Sequence, residues 1–136
     1  MDLTSLFQPG IKIEETFIVE EKHSAMHVGS GSSRVLATPW MIGFMERVAH
    51  HLLAEKLPEG YSSVGALVNI RHLAPTPVGS RVNVRAEIET IEGLKVTFKV
   101  EAWDEAGLIG SGFHERVVID IARFLRRIEN RNKGVG

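Results

Sequence analysis

Thr38, Glu46 and His72 are the residues of this 136-residue chain whose types and settings could do chemistry. Thr38 puts a hydroxyl at the start of a helical stretch, where unpaired backbone N–H groups and the helix dipole favour developing negative charge. Glu46 has Ile42, Gly43, Ala49 and His50 three and four residues away, an apolar flank rather than a charged one. A carboxylate so placed is a candidate for proton transfer. His72 lies in Asn69-Ile70-Arg71-His72-Leu73-Ala74-Pro75, at a strand end before a proline-bounded turn, where an imidazole can give or take a proton. Each residue also has a plain structural reading. Thr38 could be an ordinary N-cap, Glu46 a solvent-edge partner of Arg47 or Lys56, and His72 a structural or exposed side chain.

The elements that must position them follow from periodicity. Residues from Ala37 to Leu53 read as one long helix, with Thr38 at the N-cap and Pro39 at the first helical position. Met41, Phe44, Met45, Val48, Leu52 and Leu53 recur at the spacing of a buried face. Trp40, Ile42 and Ala49 widen that face, so the helix is expected to lie wrapped by a sheet. Pro58 and Gly60 supply its break. Upstream, residues 1–10 read as a loosely held lead-in and Ile11 to Val19 as a half-buried strand. Ala25-Met26-His27-Val28 reads as a possible resumption of that strand, followed by the flexible run Gly29 to Ser33.

Downstream come extended segments at Ser63–Leu73, Arg81–Ile91, Lys95–Trp103 and Leu108–Ile119. In two of them the alternation is clean. Val82, Val84, Ala86 and Ile88 share one face of the first, and Val96, Phe98, Val100 and Ala102 share one face of the second. Glu92-Gly93 is a hairpin turn. Residues from about 120 to 131 predict a short amphipathic helix, with Ile121, Phe124, Leu125 and Ile128 on one side and Arg123, Arg126, Arg127 and Arg131 on the other. The basic face reads first as solvated and second as a phosphate contact. One long apolar helix within a run of antiparallel strands makes an α+β domain spanning residues 1–136. Its curved antiparallel sheet would wrap the central helix, the architecture called a hotdog fold. The open sheet edge such a fold leaves predicts a homodimer, with further pairing into tetramers left open.

Composition narrows the function. A formal net charge of −1 argues against nucleic acid as partner. No apolar run approaches the roughly 20 residues of a membrane span and no signal-peptide pattern opens the chain, so no membrane and a cytoplasmic location are expected. With no cysteine, disulfides, zinc–thiolate sites and a thiol nucleophile are excluded. The six histidines do not fall at metal-ligand spacing, so neither metal nor cofactor is expected.

Four separated blocks then carry a likeness. Ala37-Thr38-Pro39-x-Met41, Met45-Glu46, Ser63-Val64-Gly65 and His72-x-Ala74-Pro75-Thr76-Pro77-Val78-Gly79 match in order and spacing. Through them the chain resembles the fluoroacetyl-CoA thioesterase-like family of hotdog proteins from about Thr16 to Ile119. The resemblance implies hydrolysis of an acyl-CoA thioester by a threonine, a helical glutamate and a histidine, which fall on Thr38, Glu46 and His72. It also implies that Gly65 lets the thioester carbonyl approach the backbone and that Arg116 lies at the substrate. From the residues alone, Gly65 is a bulge or a tight strand–helix contact, and Arg116 a partner for a carboxylate. Members specialised for fluoroacyl substrates carry aromatic residues just upstream of the threonine. Residues 29–36 contain none, so a small or medium acyl-CoA is the implied substrate.

Two other functions compete. A hotdog hydratase or dehydratase would need a histidine on the loop before the helix, paired with a helical acid, or an Asp-x-Asn-Pro-x-His motif; Val28 to Ala37 contains no histidine and the motif does not occur. A non-catalytic acyl-CoA-binding module needs no carboxylate at a thioester, and ligand binding without product release would reveal it. Several basic residues could meet CoA, among them Arg71, Lys95, Lys99 and the C-terminal arginines, and spacing does not choose between them.

Overall fold

The computed structural model describes residues 1–134. Five strands, β1 (Lys12–Ile18), β2 (Tyr61–His72), β3 (Arg81–Glu92), β4 (Lys95–Asp104) and β5 (Gly107–Asp120), form one sheet in the order β1-β3-β4-β5-β2. All neighbours are antiparallel. Three helices accompany it: α1 (Ala25–Val28), α2 (Thr38–Ala54) and α3 (Ile121–Gly134). Helix α2 packs against all five strands, so the sheet curves around it as expected.

The alternating runs do what their period dictates. Val82, Val84, Ala86 and Ile88 of β3, with Val96, Phe98, Val100 and Ala102 of β4, are buried against Met41, Met45, Val48 and Leu53 of α2. The hairpin between these strands turns at Gly93, whose φ of 62° is the left-handed conformation that glycine adopts freely.

Four local expectations are corrected. Ala37, not Thr38, is the N-cap of α2, and no side chain caps that end; Trp40 and Met41 N–H bond the Ala37 carbonyl while the Thr38 hydroxyl points elsewhere. Helix α2 is not enclosed all round, because Pro39, Trp40, Arg47 and His51 line an exposed stripe. Ala25–Val28 is a turn of helix rather than a strand, since Ser24 Oγ accepts from His27 N–H and Gly29 (φ 86°) ends it. The N-terminal lead-in is anchored: Leu3 and Phe7 are each 1% exposed and belong to the core.

The sheet is open at β2. This strand pairs only with β5 and presents a free edge on which residues 65–69 are all exposed, Leu67 and Val68 among them. Between Gly65 and Leu67 its register against β5 slips at a bulge.

Candidate active site

The structure gathers the sequence candidates into two clusters. In the first, Thr38 Oγ1 and His72 Nδ1 are 2.7 Å apart, joining the start of α2 to the end of β2. The hydroxyl is free for this bond because Ala37 takes the capping position. His72 Nε2 is buried with no hydrogen-bond partner in the chain. Burial holds the His72 pKa below the ordinary imidazole value, opposed in part by the Ala74 backbone, so the neutral ring is favoured. Beside this pair lies a cavity of about 330 Å³, lined by Ser30, Val35, Leu36 and Ala37 as well as Thr38 and His72. Ser30, Thr38 and His72 set polar groups among apolar lining residues, a mixture that suits a small acyl thioester.

The second cluster surrounds Glu46. Its carboxylate lies 4.0 Å from Arg116 Nη1 and packs over Gly65, where a Cβ would stand 2.7 Å from Glu46 Oε2. Gly65 thus serves a strand–helix approach and also opens the bulge. Arg116 is buried, as Gly65 is its register partner and both face the helix. Its Nε–H donates to Ser63 Oγ (2.9 Å) and its Nη2–H to the Ser63 carbonyl (3.0 Å). Burial lowers the Arg116 pKa, and Glu46 opposes that shift. Neither Arg47 nor Lys56 pairs with Glu46; Arg47 instead lies over the Phe17 ring.

Thr38 and Glu46 stand eight residues apart on α2, roughly 12 Å along its axis at about 1.5 Å per residue. The two clusters are therefore not in contact within one chain. Two residues of the second cluster were not singled out from sequence, Ser63 as the anchor of Arg116 and His114 as its third partner. His114 Nε2 lies 3.2 Å from Arg116 Nη1, and the ring is fully buried. The signal was present in β5, where His114 and Arg116 fall on the same alternate positions as buried Val118.

A hydroxyl–imidazole pair beside a pocket can polarise a carbonyl, and a carboxylate held near a guanidinium can activate water. Among the described residues no group of three or more side chains could hold a metal ion. No helix there is long and apolar enough to cross a membrane.

Comparison with known proteins points the same way. Residues 19–122 match the family model described as fluoroacetyl-CoA-specific thioesterase. The fluoroacetyl-CoA thioesterase of Streptantibioticus cattleyicolor is 32% identical over 128 residues, 90% of this chain and 92% of that protein. A solved structure of the fluoroacetyl-CoA thioesterase FlK superimposes with a TM-score of 0.85 at 31% identity, covering 91% of this chain and 96% of that one. A mutant of FlK has been solved in complex with fluoroacetate and CoA (TM-score 0.83, 32% identity, 87% of this chain and 99% of that one). A hot-dog-like protein from Thermanaerovibrio acidaminovorans matches with a TM-score of 0.89 at 27% identity, over 96% of this chain and 97% of that one.

Proposed function

This chain belongs to the fluoroacetyl-CoA-specific thioesterase family, and from that premise we propose that it hydrolyses a small or medium acyl-CoA to free acid and CoA, using Thr38, Glu46 and His72. The observation that carries the reading is the Thr38–His72 bond of 2.7 Å at the wall of a small open pocket, with His72 Nε2 buried and without a hydrogen-bond partner among the described residues. The Thr38 O–H donates to Nδ1, which leaves the proton on Nε2. That N–H polarises the thioester carbonyl and stabilises the oxyanion as a neutral donor, the form burial favours. Glu46 takes a proton from water as the water oxygen bonds the carbonyl carbon. When the tetrahedral intermediate collapses, the C–S bond breaks and the Glu46 carboxyl returns its proton to the sulfur. Gly65 and Arg116 complete the second half, the glycine by leaving room for the carboxylate and the carbonyl, the arginine by setting the carboxylate's position.

The enzyme acts as a cytoplasmic homodimer. Antiparallel pairing of two free β2 edges lays the Tyr61–Gly65 half of one strand beside the Leu67–His72 half of the other. That sets the partner's His72 end of β2 on the Glu46 side of this protomer, so that one site can draw on both chains. The exposed apolar run at Leu67 and Val68 supports such a contact, because a free hydrophobic edge otherwise invites indiscriminate pairing. The absence of aromatic residues from 29–36 supports an ordinary acyl group over fluoroacetyl.

The test is thiol release from acetyl- through decanoyl-, phenylacetyl- and fluoroacetyl-CoA by wild type and Glu46→Gln. The expected outcome is turnover on the shorter chains that vanishes in the variant. Tight CoA-thioester binding without thiol release would instead make the protein a binding module.

A further inference from the structure

His114 is the most completely buried histidine of the chain, 0% exposed, and no step of the proposed hydrolysis uses it. Its surroundings fix its proton. Nδ1 lies 2.8 Å from the carbonyl oxygen of Leu67, which can only accept, so Nδ1 carries the hydrogen. The neutral ring then has a bare Nε2, and Arg116 Nη1–H donates to it at 3.2 Å. The Phe98 ring stacks near the imidazole, with centroids 6.5 Å apart. Leu67 follows the β2 bulge, so its carbonyl is available where the strand ladder slips.

These bonds explain an odd distance. A buried guanidinium beside a carboxylate ordinarily closes to a direct hydrogen bond of about 2.7–2.9 Å. Here Arg116 Nη1 stays 4.0 Å from Glu46 Oε2. Three of its N–H groups are already committed, two to Ser63 and one to His114. Ser63 fixes one side of the fork; His114 takes one of the two hydrogens on Nη1, the nitrogen nearest Glu46, and so fixes where that nitrogen stands. We infer that His114 is a positioning residue that holds Arg116 off Glu46, so that Oε2 hydrogen-bonds the attacking water rather than the guanidinium. The inference deepens the proposed reaction and rests on Glu46 being its base. Without His114, one Nη1 hydrogen loses its acceptor in a buried site and the guanidinium loses the anchor that keeps Nη1 from moving to Glu46. The pair then closes and the guanidinium competes with the water for that oxygen.

Two variants and one spectrum test this. His114→Asn keeps a donor for the Leu67 carbonyl but cannot reach Arg116; His114→Gln extends an acceptor toward the Nε2 position. The expected result is a kcat loss of on the order of 100-fold in His114→Asn, the scale of a misplacement of about 1 Å, with KM little changed. His114→Gln should recover most of that loss. Nitrogen-15 NMR of wild type at pH 7 should show Nδ1 protonated and Nε2 bare, a readout that survives even if both variants misfold. Wild-type kcat in folded His114→Asn alongside an inactive Glu46→Gln would overturn this inference and leave the thioesterase reading standing. The Nε2–H tautomer would overturn it as well. An active Glu46→Gln would remove the base on which both rest.

Discussion

The backbone of Gly65 and the carboxylate of Glu46 occupy one another's space: a Cβ on Gly65 would stand 2.7 Å from Glu46 Oε2, closer than non-bonded atoms approach. The Glu46 side chain is 40% exposed and so can swing away at small cost. Gly65→Ala should therefore leave stability within about 1 kcal/mol of wild type, since alanine in a strand also loses less backbone entropy. Its kcat should fall on the order of 100-fold, because the carboxylate moves by about an ångström or more. Chemical denaturation beside steady-state kinetics separates the two effects. Equal losses of stability and activity would show that the glycine serves packing alone.

Thr38 offers a similar separation. An N-cap threonine contributes about 1 kcal/mol to its helix, but Ala37 holds that position here. Thr38→Val should thus unfold at nearly the wild-type denaturant midpoint while losing most of its turnover, and Thr38→Ser should restore it. A stability loss of cap size would return Thr38 to a structural role.

Much of the frame was legible because it depends on local period. The 3.6-residue spacing from Met41 to Leu53 and the two-residue alternation from Val82 to Ile88 each name the buried face directly. What depended on competition for a single group was not legible. Thr38 looks like a cap until His72, 34 positions away, takes its hydroxyl. Leu3 and Phe7 gave no periodic signal, since a 3-10 turn of three residues is too short to carry one. The Glu46–Arg116–His114–Ser63 cluster depends on the register that sets Gly65 opposite Arg116. Alternation shows that His114 and Arg116 face inward, but only long-range pairing shows what they face.

Acidity should cost this fold stability. Burial lowers the pKa of His23, His50, His72 and His114. The unfolded chain, with ordinary imidazoles near pKa 6.5, then binds more protons than the folded one as pH falls. Stability is full above about pH 6.5 and is lost as pH drops toward the lowered folded values. Melting temperatures taken from pH 8 to pH 5 should fall on the acid side. Activity should follow an acid limb for the related reason that the proposed reaction uses His72 as a neutral donor. A rate profile flat from about pH 5 to pH 9 would contradict that role.

The roughly 12 Å of helix between Thr38 and Glu46 makes subunit complementation possible. If each site joins Glu46 of one protomer to Thr38 and His72 of the other, two dead enzymes can restore each other. Glu46→Gln supplies an intact Thr38–His72 pair, and Thr38→Val supplies an intact Glu46. In a mixed dimer, one site collects both lesions and the other collects none. Unfolding and refolding the two variants together in equal amounts should make half the dimers mixed, restoring about a quarter of wild-type thiol release by symmetry. A protein whose sites lie within single protomers would carry one lesion in every site and recover nothing. A tag on one variant, with capture of the untagged other from the same mixture, confirms that mixed dimers form, so a failure to exchange subunits is not mistaken for a failure to complement.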